Sequence, residues 1–167
     1  MFCRQCEQTV GGKGCSAHGV CGKSPEVSSL QDLLVYALKG IAVYGQKASE
    51  FGIKDKETGR FIIEALFTTV TNVNFDPERI QDYILKAYEL KEHLKELFLD
   101  AYSKKHGEEF NEILPSATDW APANNIEGLI DQAQTIGILA DPGLNEDIRS
   151  LRELLLYGLK GMAAYAD

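Results

Sequence analysis

Residues 1–23 constrain this chain more than any other stretch. They read MFCRQCEQTVGGKGCSAHGVCGK and hold all four cysteines of the 167-residue sequence, spaced Cys3-x2-Cys6-x8-Cys15-x5-Cys21. Four thiols drawn so closely together describe a single site. The N-terminus does not show the charged-then-apolar pattern of an export signal. No apolar run approaches the ~20 residues needed to cross a bilayer. The expected compartment is therefore the cytoplasm, with no membrane association. Thiols stay reduced there, and clustered cysteines serve as metal ligands or redox groups more often than as structural disulfides.

Three readings compete for these cysteines. Two disulfides conflict with the expected compartment and with a helical body that needs no staples. A structural zinc site usually joins two short C-x2-C knuckles, and only Cys3/Cys6 has that spacing, Cys15/Cys21 being wider. An iron–sulfur cluster accepts one such pair with two looser ligands, although the spacing matches neither common ferredoxin pattern. Spacing alone favours the cluster without settling the matter. The residues between the cysteines lean the same way. Gly11, Gly12, Gly14, Gly19 and Gly22 allow a tight fold around a bulky group, with amides free to point at sulfur. Arg4, Lys13 and Lys23 bring positive charge to a site that would be negative. His18 reads as a nearby or exposed residue rather than a ligand.

The rest of the chain reads as helices that hold and cover this loop. Apolar content of 44% and charged content of 25% are ordinary for a globular protein, and the length suits one domain or a piece of something larger. A net charge of −8 argues against a nucleic-acid partner, because a phosphate backbone calls for a basic face. Ser24-Pro25-Glu26 reads as a turn, and Ser29-x-x-Asp32 as a capping box that opens a helix. Leu30, Leu33, Leu34, Ala37, Leu38 and Ile41 follow with helical spacing. A second helix is expected over residues 60–73. A third is expected from Pro77 to about Lys105, capped by Asp76 and closed by Gly107. Residues 108–125 read as a long connection pinned by Trp120, the only tryptophan. A short helix over residues 126–136 follows, which Gly137 can close, then a turn at Asp141-Pro142-Gly143. A last helix is expected from the capping box Ser150-x-x-Glu153. No stretch alternates convincingly as a strand, so the fold class is all-α.

The last helix repeats the first. SLQDLLVYALKGIAVY at residues 29–44 lies over SLRELLLYGLKGMAAY at residues 150–165 with a constant offset of 121, and ten of the sixteen positions are identical. Both copies keep Lys-Gly mid-helix, at Lys39-Gly40 and Lys160-Gly161, although a helical glycine costs ~1 kcal/mol. A glycine kept there twice predicts a close helix–helix approach at that point. The repeat divides the chain into a cysteine loop (1–28), a first three-helix bundle (29–107), a connection with a short helix (108–149) and the opening helix of a second bundle (150–167). The second copy stops in mid-pattern, so the chain reads as a piece of a longer one. One apolar face of residues 151–165 is then expected to need a covering partner.

The cysteine motif with GVCGK, followed by LQDLLVYALKGIAVYG and LRELLLYGLKGMAAYA, resembles the hybrid cluster protein family, also called prismanes or hydroxylamine reductases. The resemblance spans the whole chain. It implies the N-terminal helical domain of that family, built from two three-helix bundles. It also implies a [4Fe-4S] cubane held by Cys3, Cys6, Cys15 and Cys21. The catalytic hybrid iron–sulfur–oxo cluster of the family belongs to the full-length protein and is bound by residues outside this chain. The implied function is an oxidoreductase that takes electrons from an external donor protein. It passes them through the cubane to the hybrid cluster, where hydroxylamine or a related nitrogen oxide species is reduced. The remaining domains and the small-molecule substrate are the other implied partners. The residues alone leave two further readings: a free-standing iron–sulfur electron-transfer module, and a zinc-stabilised helical interaction module.

Overall fold

The computed structural model describes residues 1–140 and 142–166. Five α-helices form the body: α1 (Pro25–Ser49), α2 (Lys56–Thr68), α3 (Pro77–His106), α4 (Ile126–Ala133) and α5 (Glu146–Ala166). Short 3-10 turns lie at Val10–Gly12 and Ser116–Thr118. No strand occurs among the described residues, and the all-α expectation holds. Among them, too, no helix is long and apolar enough to cross a membrane.

Both copies of the repeat begin earlier than their capping boxes predict. Ser24 caps α1, its hydroxyl accepting the Val27 amide at 3.1 Å, and Pro25 fills the first helical position, where a missing N–H costs nothing. What reads as a turn at Ser24-Pro25-Glu26 is the start of the helix. Asn145 does the same for α5, its Oδ1 accepting the amides of Asp147 at 2.9 Å and Ile148 at 3.3 Å. Ser24 and Asn145 are themselves 121 residues apart, so the repeat includes its caps. The Ser29 and Ser150 boxes lie one turn inside their helices. The turn expected at Asp141-Pro142-Gly143 begins on Asp141, which lies outside the described residues.

The second helix is also displaced from its expected span, 60–73. Asp55 caps α2 by accepting the amides of Glu57 and Thr58, so the helix starts at Lys56. It ends at Thr68, where the hydroxyls of Thr68 and Thr69 donate to the carbonyl oxygens of Ala65 and Leu66, three residues back. The third helix matches its prediction closely: Asp76 accepts the Arg79 amide at 3.1 Å, and Gly107 closes it in the left-handed conformation at φ 74°. The short helix stops at Ala133, before the expected Ile136, and Gly137 follows with φ 120°.

The core lies between α1 and α3. Leu30, Leu33, Leu34 and Ile41 of α1 are fully buried with Ile80, Ile84, Ala87 and Phe98 of α3. The turn at Ser116–Thr118 and α4 pack on the flank of α1. α2 joins this core through the buried Ala65 and through Phe61, whose ring lies 6.0 Å from that of Tyr83 on α3, and its neighbouring side packs along α5. Trp120 anchors the long connection as the sequence predicts: its ring meets Tyr36 edge-on at 6.1 Å and packs against the core. The buried ammonium of Lys91 holds the same connection, donating to the carbonyl oxygens of Thr118 at 2.9 Å and Trp120 at 2.5 Å.

Candidate metal centre

The cysteine loop is folded by its own backbone. Cys3 and Cys15 exchange both amide–carbonyl bonds, at 3.0 and 2.8 Å, in an isolated antiparallel bridge. Between them the chain reverses through the 3-10 turn at Val10–Gly12. After Cys15 it makes a second tight turn, in which the Gly22 amide donates to the Gly19 carbonyl oxygen at 2.9 Å and the Gly19 amide to that of Lys23 at 2.8 Å. Of the five glycines the sequence offers for positive φ, Gly11, Gly12, Gly14 and Gly22 take it and Gly19 does not. Gly14 combines φ 142° with close contact, since a Cβ there would come within 2.8 Å of the Phe2 ring. Gly19 is needed for space: a Cβ there would lie 3.0 Å from the Lys23 side chain and 3.2 Å from Cys21 Sγ.

All four cysteines are free thiols. Cys15 is buried at 4% exposure, while Cys3, Cys6 and Cys21 are partly buried. Backbone amides of Val20 and then Val10 donate toward the Cys15 sulfur. With the nearby charge of Lys23, they hold its thiol below the ordinary range against the opposing effect of burial. A lowered thiol supplies the thiolate that a metal requires. The amides that reach sulfur thus belong to two valines, whose residue type gives no sign of it.

Of the three cations expected near the site, Lys23 is fully enclosed. Its ammonium donates to Gln31 Oε1 at 2.6 Å, and Gln31 in turn donates to the Asn74 carbonyl oxygen at 2.9 Å. The charge of Arg4 acts on the Tyr157 phenol, and Lys13 is exposed. His18 is exposed as well. A fourth cation, Lys160 of α5, escapes the sequence reading because 139 residues separate it from Cys21. It is 6% exposed. It lines a cavity of about 70 Å³ together with Cys3, Gln5, Lys23, Asp32 and Glu153. Burial lowers Lys160 to about 8, partly offset by Asp32. Burial raises Asp32 to about 6, against the pull of Lys160 and Lys23.

Among the described residues, no three His, Cys, Asp or Glu side chains converge to hold a metal ion. The backbone bridge brings Cys3 and Cys15 side by side and the second turn brings Cys21 onto the same loop. The donor chemistry nevertheless fits a thiophilic group. Four reduced thiols share one loop, one sulfur already receives two backbone amides, and a cationic floor stands ready to offset thiolate charge.

Comparison with known proteins bears on this loop. The family model described as Prismane/CO dehydrogenase family matches residues 1–167. A hydroxylamine reductase of Halothermothrix orenii is 51% identical over 167 residues, which cover 100% of this chain and 30% of that protein. Hydroxylamine reductases of Geobacter metallireducens and Nitratidesulfovibrio vulgaris are 50% and 44% identical over 167 residues, with the same coverage. The chain thus spans about a third of the length of the curated relatives it matches.

Proposed function

Because the chain belongs to the Prismane/CO dehydrogenase family, we propose that it is the cluster-holding part of a hydroxylamine reductase-like oxidoreductase. Cys3, Cys6, Cys15 and Cys21 are its thiolate ligands to a [4Fe-4S] cluster, which when bound accepts and passes on single electrons. The substrate-reducing hybrid cluster belongs to residues outside this chain, and an external protein is the electron donor. Hydroxylamine, or a related nitrogen oxide species, is the proposed substrate of the complete protein.

One observation carries this reading: four free thiols on one self-bridged loop, in a chain 51% identical to a named hydroxylamine reductase. The chain's own residues act as holder and insulator. The Cys3–Cys15 bridge sets the two strands of the loop side by side, amides of Val10 and Val20 stabilise sulfur charge, and α1 and α5 form a floor. Such groups tune a cluster through hydrogen bonds to sulfur, local charge and exclusion of water. No general acid or base is needed at a site that moves only electrons.

The test is replacement of each cysteine by serine in protein purified without oxygen, with iron counted per chain. Each variant is expected to lose its share of iron and the associated visible absorption, while His18→Ala keeps both. Full iron retention in Cys6→Ser overturns the ligand assignment.

A further inference from the structure

The floor beneath Cys3 is built from both copies of the repeat. Asp32, Val35 and Lys39 of α1 line the 70 Å³ cavity together with Glu153, Leu156 and Lys160 of α5. These are the same three positions, each pair 121 residues apart. The copies then diverge. Lys39 is exposed, whereas Lys160 turns inward and is buried.

A chain of hydrogen bonds joins this face of α5 to the cysteine loop. With the Gln5 amide oriented to satisfy both ends, Lys160 Nζ donates to its oxygen at 3.2 Å and its nitrogen donates to the Thr69 carbonyl oxygen at 3.2 Å. Gln5 lies between Cys3 and Cys6, so this chain of bonds ties the C-x2-C turn to α5 and to the end of α2. One turn away, Tyr157 lines the same cavity as Cys3 and feels the charge of Arg4 from the same segment.

A buried ammonium is costly unless opposite charge compensates it. Asp32 supplies some of that charge, yet burial still outweighs it at Lys160. Thiolates ligating a cluster at Cys3 would supply the rest.

We propose that Lys160 is a positioning residue for the cysteine loop: it tethers the Cys3–Cys6 turn through Gln5 and raises the reduction potential of the group held there. The inference rests on the iron–sulfur reading above. A positive charge beside the cluster favours the form carrying the added electron. Asp32, on the opposite wall of the cavity, acts in the other direction.

The experiment is an EPR-monitored redox titration of protein purified without oxygen, comparing wild type with Lys160→Met, Lys160→Arg and Asp32→Asn, with iron counted in each. Lys160→Met is expected to shift the midpoint negative, Lys160→Arg to restore it toward wild type, and Asp32→Asn to shift it positive. The Asp32 variant keeps the test decisive if Lys160→Met fails to fold. A wild-type iron signal whose midpoint neither Lys160→Met nor Asp32→Asn moves overturns this inference alone. A wild type that is redox-silent and loaded with zinc overturns the iron–sulfur reading, and this inference with it.

Discussion

Gly40 and Gly161 occupy the same position of the repeat, but they answer to different constraints. A Cβ on Gly40 would come within 2.5 Å of the Ala117 carbonyl oxygen and 3.1 Å of the Lys91 side chain. The close approach predicted from the repeated glycine exists in α1, against both the connection at Ala117 and the Lys91 side chain of α3. A Cβ on Gly161 would meet nothing within 4 Å. Gly40→Ala should therefore destabilise by about 1–3 kcal/mol through overpacking. Gly161→Ala should stabilise by about 0.5–1 kcal/mol, the helix-propensity difference. Chemical denaturation of the two variants checks both signs. Asp32 gives a pH test. Its folded pKa of about 6 lies above the ordinary carboxylate value, so the folded state penalises the charged form. Asp32 is neutral in both states below about pH 4, and stability is lost as pH rises toward 6 and this partly buried group ionises. Asp32→Asn should therefore gain on wild type by the order of 2–3 kcal/mol between pH 4 and 7, read from denaturation curves at both. A constant difference across that range would contradict the assigned burial.

The helices show where pattern was legible and where it was not. Apolar spacing located α1, α3 and α5, because long amphipathic runs are set by local periodicity. α1 and α5 start before their expected boxes because two capping signals lie close together in each, and Ser24 and Asn145 cap in preference to Ser29 and Ser150. α2 starts four residues before its expected position because Asp55 caps it. The partner of each helix depends on tertiary packing, so the pairing of α2 with α5 left no local trace. The exposed face of α5 was legible through the repeat. Leu151, Leu154, Leu155, Leu159, Met162 and Tyr165 are exposed, Leu154 at 66%. Their equivalents in α1, from Leu30 to Tyr44, are all buried, Leu33 at 0%. Residues 1–167 produced alone should therefore self-associate or bind a hydrophobic dye, and Leu154→Glu combined with Met162→Glu should suppress both. Light scattering after gel filtration reads the first effect and dye fluorescence the second. A wild-type monomer that binds no dye would contradict the claim that this face needs cover.

For the molecule as a whole, the cysteine motif and the repeat made the fold class and the family readable from residues alone, and the match to the Prismane/CO dehydrogenase family agrees. The ligand loop could be read because its cysteines are close in sequence. Its floor could not, because Lys23, Asp32 and Lys160 meet only once α1 and α5 are folded. Everything proposed for this loop depends on its holding an iron–sulfur cluster. Iron, acid-labile sulfide and zinc counts with an EPR spectrum, on residues 1–167 purified without oxygen, test it most directly. About four irons and four sulfides per chain, brown colour and a signal on reduction are expected. A colourless chain holding about one zinc and no sulfide would contradict it and leave a structural helical module.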